Sequence, residues 1–386
     1  MLKRISNYAF YLALSIEIFL VILDKSVYII QYEAYWFRLT FVLFAIKLVL
    51  TKYNTREWLT IGTFVLLGVI SYLVTGHNEI LRVVVLVAAC TDINHEFMFK
   101  LLLYGTLFGC LILMGLSFAG IGEFSITRDF GRGEIETRYC LGFGHPNGLH
   151  TMFWAICSLI LYVYRKSIRW FHLLIMLLGN VGLFFLTDSR TSVITMTFML
   201  VCFAFMLPRN VYNHPKTVYF LACIEAGIAL FTSFIMMSHK LFWDRVIDYD
   251  YLLTGRMTYT HVEVTEAKTF FWLPLSTLSR YRASDLGIVK MTYWYGYIPT
   301  IFFLVLCCTL ILTAMKHKDG ASVVIVASII LYSIFEAHEV SVYLARNYVF
   351  FLLGSYWTKM INSDEKGRYY IIDLIKSTGV TEAKNV

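Results

Sequence analysis

The chain has 386 residues, of which 58% are hydrophobic and only 15% are charged, and its formal net charge is +7. A soluble chain of this length would carry about a quarter charged residues, so the composition excludes an ordinary soluble protein and favours a polytopic membrane protein. The positive charge fits the excess of Lys and Arg on the cytoplasmic loops of membrane proteins. Without a basic patch interleaved with aromatic residues, it does not indicate nucleic-acid binding.

Apolar runs of membrane-spanning length recur along the chain and predict an all-α bundle of about twelve transmembrane helices. Backbone polar groups in lipid must pair within their own segment, and no run alternates as a barrel strand would. The first run lacks a small-residue cleavage site, so we expect it to stay on the protein. The runs cover about residues 7–24, 35–50, 57–75, 79–94, 99–119, 146–164, 170–187, 190–207, 217–237, 290–315, 321–337 and 342–358.

Short loops rich in Lys and Arg set the predicted orientation. With twelve spans these loops fall on one side, which is then cytoplasmic, and both chain ends lie inside. We expect one transmembrane domain over residues 1–359 and a flexible or weakly helical cytoplasmic tail over 360–386. The basic residues in question are Lys3, Arg4, Lys52, Arg56, Arg165, Lys166, Arg169, Arg209, Lys216, Lys316, Lys318, Lys359, Lys366 and Arg368.

Two long segments then lie outside, over about 120–145 and 238–289, and both contain several arginines. An anionic ligand at the outer face would explain that enrichment. The second segment mixes aromatic and charged residues, which predicts short amphipathic helices on the outer membrane surface, although an aromatic interfacial belt explains the aromatics equally well. Cys140 is the cysteine that we expect in an aqueous outer loop.

The remaining cysteines lie mostly within apolar runs, and no CxxC spacing appears. The chain also has no Walker motif, no GxGxxG and no cluster with metal-ligand spacing. The sequence therefore predicts neither a metal site nor a bound cofactor.

Two segments offer cations for an anionic ligand. The segment 187–192, TDSRTS, places Arg190 in the first turn of a predicted helix, where free backbone N–H groups and a guanidinium can bind an anion together. The segment 253–256, LTGR, places Arg256 directly after a glycine that allows close approach to a ligand. A short polar turn and a solvated loop arginine are the structural alternatives.

The segment 335–339, FEAHE, offers groups for proton transfer at the outer end of the eleventh run. Glu336 lies at the end of an apolar stretch, and a histidine such as His338 titrates near neutral pH. Two residues apart on a continuing helix, their side chains point about 200° apart, so only one of them can face a shared cavity. We favour His338 as the catalytic base and Glu336 as its orienting partner or replacement; a solvated interfacial pair is the alternative.

The segment 142–148, GFGHPNG, opens the sixth run with Pro146 in a first-turn position. His145 and Asn147 are candidates for binding a sugar hydroxyl. A capping turn that shapes helix packing is an equally good interpretation.

These segments occur in an order that resembles the O-antigen polymerase and ligase superfamily. GFGHPN, TDSRTS, LTGR in a large outer loop, a YGYIP helix start at 295–299 and FEAHE follow one another over roughly residues 100–350. The Wzy-type polymerase branch is the closer match. The chain departs from the pattern at 274–277 and 284–286, where many members carry a Gly-rich, Asp-Asn stretch.

The resemblance implies a membrane glycosyltransferase of the C-like class with a large extracytoplasmic loop, in a bacterial plasma membrane. It implies a substrate of oligosaccharide carried on undecaprenyl diphosphate, no metal, and a chain-length regulator and a flippase as protein partners. Arg190 and Arg256 match the arginines that hold the diphosphate. The region of Glu336 and His338 matches the late polar motif that acts on the acceptor hydroxyl.

Two other activities stay open at this stage. A ligase would use the same donor but transfer the chain to another acceptor. A flippase or transporter would place its ionisable groups near the bilayer midplane in broken helices, whereas the polar segments of this chain lie at the outer ends of clean apolar runs.

Overall fold

The computed structural model describes residues 2–130, 133–207, 222–231, 286–337, 341–361 and 368–370, and these are mostly helical. The α-helices are α1 Leu2–Asp24, α2 Glu33–Val49, α3 Thr55–Thr75, α4 Glu79–Ala89, α5 His95–Phe118, α6 Pro146–Val163, α7 Trp170–Thr187, α8 Arg190–Met206, α9 Ala222–Phe231, α10 Gly287–Tyr295, α11 Tyr297–Lys316, α12 Gly320–Phe335 and α13 Tyr348–Met360. A 3-10 turn, Leu344–Arg346, precedes α13, and the strands β1 Ser125–Asp129 and β2 Ile135–Tyr139 lie between α5 and α6.

Among the described residues, five helices are long and apolar enough to cross a membrane: α1, α3, α5, α7 and α11. The prediction of a helical membrane protein is confirmed at that level, while the number of twelve spans is not established. The helix in the fourth run has only 11 residues, and the run at 290–315 is divided at Gly296 (φ 88°) into α10 and α11.

Helices α3 and α7 show why these segments need lipid. Both leave half or more of their large apolar side chains exposed; Leu73 is 75% exposed and Phe185 is 80% exposed. Such a continuous apolar surface is not stable in water, and a bilayer covers it. Helix α12, in contrast, is buried on nearly every side and forms the centre of the bundle against α8 and α11.

The bundle has two ends, which we name by what lies on them. The hairpin face carries the antiparallel β-hairpin, in which Ser125 pairs with Tyr139 and Asp129 with Ile135. A bridge between Ser26 and Phe143 brings the end of α1 to the start of α6 on this face. The sequence analysis did not foresee this hairpin within the 120–145 segment.

The tail face is the opposite end, where residues 368–370 lie against the connection between α2 and α3. Tyr369 and Tyr53 exchange backbone hydrogen bonds of 2.9 and 3.1 Å. Arg368 forms ion pairs with Glu57 at 2.9 Å and with Asp92 at 3.2 Å. This part of the expected flexible tail is therefore an ordered, paired segment, and the rest of the tail lies outside the described residues.

Candidate active site on the hairpin face

The first contact of the site joins the start of α8 to the end of α12. Glu336 has extended backbone angles that end α12, and its Oε1 accepts a hydrogen bond of 3.1 Å from the Thr191 hydroxyl. Gly287, which opens α10, lies directly on this chain end, since a Cβ there would come within 2.6 Å of the Glu336 carbonyl oxygen. The segment 187–192 and the described residues 335–337 are thus brought together, with the start of α10 beside them.

Buried polar side chains fix the helices beneath this contact. The Tyr332 hydroxyl lies 2.5 Å from the Thr151 hydroxyl and 3.5 Å from the Ser192 hydroxyl, which links α6, α8 and α12. His150 Nε2 lies 2.8 Å from Asn180 Oδ1 and so joins α6 to α7. Because an unpaired polar group inside the bundle is costly, such pairs hold the helices in one arrangement.

The hairpin is fastened to the turn between α7 and α8 by Arg138. Its guanidinium donates to Glu136 at 3.0 and 2.6 Å and pairs with Asp188 at 3.2 Å. The same guanidinium lies over the Phe130 ring, 4.1 Å from its centroid. Asp188 ends α7 with a left-handed backbone (φ 48°), two residues before Arg190, so Arg138 fixes the turn that positions the start of α8.

Arg190 is the first residue of α8 and is exposed. In the part of the chain that the structure describes, its guanidinium has no hydrogen bond and no ion pair. It therefore stands at a helix N-terminus with its donors available, next to the Thr191–Glu336 contact. This arrangement can bind an anion through backbone and side chain together.

A second charged group, which sequence reasoning missed, lies at the end of α1. Lys25 Nζ and Arg346 Nη1 lie 3.5 and 3.4 Å from the same atom, Asp24 Oδ2. Burial lowers the pKa of Lys25 to about 7, and the Arg346 guanidinium acts in the same direction, while Asp24 and Glu336 oppose it. The sequence signal was the charged pair Asp24–Lys25 at the end of the first apolar run; the arginine that contacts Asp24 lies 322 residues away.

Arg346 is held in place by a buried ion pair between α1 and α4. Arg82 lies 3.0 Å from Glu17, and the two side chains are 3% and 0% exposed. Glu17 accepts from the Leu344 backbone N–H at 3.1 Å, and Arg82 donates to the Val342 carbonyl at 2.6 Å. The pair thereby anchors the 341–347 segment that carries Arg346.

In the structure, the glycine-rich segment 142–148 caps α6 and packs closely against α5, which agrees with its interpretation as a capping turn. Gly142 has φ 87°, and a Cβ there would lie 2.3 Å from the Leu113 carbonyl oxygen. His145 Nδ1 accepts from the Asn147 backbone N–H at 3.1 Å and caps α6. The Gly144 N–H donates to the Lys25 carbonyl at 2.8 Å, so this segment also supports the Lys25 connection. Sugar binding by His145 and Asn147 stays a prediction.

Two of the predicted site residues, Arg256 and His338, lie outside the described residues. One expectation about this face is wrong: the Cys140 thiol is not exposed to water. Its side chain is buried, and its sulfur lies 3.2 Å from the Glu123 carbonyl oxygen. Burial raises the pKa of Cys140, which lowers its reactivity further.

No protein-family model matches the chain, and neither a curated protein nor a solved structure shows significant similarity to it.

Proposed function

We propose that the chain is a multi-pass membrane glycosyltransferase that polymerises oligosaccharide repeat units carried on undecaprenyl diphosphate into a surface polysaccharide. In this proposal the bundle has twelve spans, the tail face is cytoplasmic and the hairpin face is the extracytoplasmic side of a bacterial plasma membrane. The observation that carries the proposal is the Thr191–Glu336 contact, because it brings an arginine-bearing helix start to a carboxylate at one end of the bundle.

The proposed transfer needs two kinds of group. Negative charge grows on the diphosphate as the glycosidic bond to it breaks, and cations at that position lower the barrier. Arg190 and Arg256 are proposed to supply them, in keeping with the resemblance to O-antigen polymerases. The acceptor hydroxyl must also lose its proton as its oxygen attacks the anomeric carbon.

Glu336 and His338 are the sequence-derived candidates for accepting that proton. Polymer formed by Glu336→Gln and His338→Ala, compared across pH at equal protein level, separates them. If His338→Ala forms no polymer while Glu336→Gln remains active, His338 is the proton acceptor. The opposite result makes Glu336 the proton acceptor. If both variants polymerise normally, the proton acceptor lies elsewhere in the site.

Removal of the chain from its cells tests the function itself. We expect the polysaccharide ladder to disappear while lipid-linked single units accumulate on the outer side. Persistence of long polymer without attachment to its final carrier would instead indicate a ligase. Accumulation of single units on the cytoplasmic side would indicate a flippase.

One observation favours the flippase or transporter alternative. Glu225 lies within α9, and its Oε2 is buried without a hydrogen-bond partner among the described residues. Ionisable side chains inside membrane segments often mark transport pathways. Glu225→Gln should leave the ladder unchanged if the polymerase proposal holds, and should abolish transfer of lipid-linked units across the membrane if the transporter alternative holds.

A further inference from the structure

His150 is a buried histidine near the start of α6, and its ring bonds to α7 at two points. Its Nδ1 lies 3.1 Å from the hydroxyl of Thr187, the last residue of α7. Its Nε2 lies 2.8 Å from Oδ1 of Asn180, earlier in the same helix. All three side chains are 0% exposed, so water cannot replace either bond. Loss of one bond would therefore leave a buried polar group without its partner.

The Asn180 side chain carries this connection into α8. Its Nδ2 donates to the Val193 carbonyl at 3.1 Å and to the Thr197 hydroxyl at 3.0 Å. Because a carbonyl only accepts, the Asn180 nitrogen must face α8 and its oxygen must face His150. His150 Nε2 therefore carries a hydrogen and donates it to Asn180. The ring thus holds the first turn of α8 through one intervening side chain.

These contacts lie on both sides of Arg190 in the chain. Thr187 is three residues before it and Val193 is three residues after it, so His150 fixes the backbone at both ends of this stretch. The Thr187 hydroxyl also accepts from the Ser189 N–H at 3.4 Å, within the turn itself. The ion pair between the hairpin and this turn, described above, holds its outer side. The turn between α7 and α8 is therefore fixed from inside the bundle and from the hairpin.

We propose that His150 is a positioning residue, which sets the turn between α7 and α8 so that Arg190 and the free N–H groups of α8 face the same diphosphate. The proposal rests on the proposed function. Arg190 is exposed and begins α8, so the direction of its side chain depends on the backbone that His150 holds. His150 acts through its bonds to Thr187 and Asn180 and takes no proton from the substrate.

His150→Phe keeps a ring in the bundle and removes both hydrogen bonds. We expect polymer formation per folded molecule to fall by about 10–100-fold, because a shift of about 1 Å in a group that orients the substrate can cost about 100-fold in rate. His150→Gln, whose amide can still donate to Asn180, should lose less. His95→Phe is the matched control: it removes a histidine bond of 3.1 Å to Ser355 on the tail face and should keep the wild-type rate.

A double-mutant cycle with Arg190→Ala separates positioning from a structural role. Once the guanidinium is absent its direction no longer matters, so His150→Phe should then cost less than about 3-fold. Binding of undecaprenyl diphosphate to the same four proteins should follow the same pattern. Equal losses from His150→Phe with and without the Arg190 guanidinium would overturn the proposal, because they would show a structural role alone.

Thr187→Val keeps the test valid if His150→Phe does not fold. It removes only the hydroxyl at the end of α7, and we expect polymer formation to fall by about 10-fold while Arg190 is present. The wild-type rate in folded Thr187→Val and His150→Phe would overturn the role of His150 alone. A wild-type protein that forms no glycosidic bond would overturn the proposed function, and the binding cycle would then decide the role of His150.

Discussion

The two ends of the bundle differ in how their charged side chains are paired. On the tail face, the fully buried Glu57 faces Arg368, caps α3 with Asn54 and accepts from Thr358 at 3.3 Å, and Arg368 also reaches Asp92. The chain thus closes this end with its own segments. On the hairpin face, Arg190 has no partner in the described parts of the chain, and Lys25 shares its carboxylate with Arg346. A closed network stabilises a fold, whereas an exposed arginine at a helix start, Arg190, is available to a ligand.

The largest expected effect is an all-or-none difference in cysteine labelling, which tests which face of the bundle lies outside the cell. Ile135 in β2 is 78% exposed, and Ser167 lies exposed in the connection between α6 and α7 at the opposite end. In intact cells, a membrane-impermeant maleimide should label Ile135→Cys and not Ser167→Cys, which should react only after permeabilisation. Wild-type Cys140 should stay unlabelled because its thiol is buried. The reverse pattern would place the candidate site on the cytoplasmic side.

Arg190→Lys tests whether the open end binds the diphosphate. Lysine lacks the planar fork of arginine, and losing one charge-assisted contact costs on the order of 2–4 kcal/mol of transition-state stabilisation, or roughly 30–1000-fold in rate. Polymer formation at equal protein level measures this, and we expect the same loss for Arg256→Lys. Arg165→Lys, in the connection between α6 and α7, is the control and should behave as wild type. Near-normal polymer from Arg190→Lys and Arg256→Lys would contradict the assignment.

Arg368→Gln tests whether the closed end is structural. It leaves the buried Glu57 without its cationic partner, which should destabilise the fold by up to about 3 kcal/mol. A thermal or denaturant melt in detergent measures the loss, and polymer formation per folded molecule should stay unchanged. A fall in activity without a fall in stability would give the tail face a part in the reaction.

Gly142→Ala is the smallest of these effects and tests the loop that supports Lys25. A left-handed residue with a side chain, here pressed against the Leu113 carbonyl, should lose about 1–3 kcal/mol of stability. Gly182→Ala is the matched control, because that helical glycine has open space around its Cβ position and alanine should raise stability by roughly 0.5–1 kcal/mol. If both variants melt alike, the backbone at Gly142 does not constrain the hairpin face.

Apolar runs and local capping signals predicted most of the helices but few of the contacts between them. Pro146 and the residues around it marked the start of α6, where His145 caps the helix as local chemistry requires. The hairpin was missed because its strands are five residues long and mostly exposed, so no apolar alternation marks them. The contact between Asp24 and Arg346 joins opposite ends of the chain, and periodicity carries no information on such pairs.

The most direct test of the proposed function is bond formation by the purified protein. The wild-type chain, in detergent or liposomes, is given lipid-linked repeat units and no other protein. We expect a ladder of lengthening oligosaccharide with one undecaprenyl diphosphate released for each new glycosidic bond. Single units that stay intact, or that cross the bilayer without bond formation, would contradict the account.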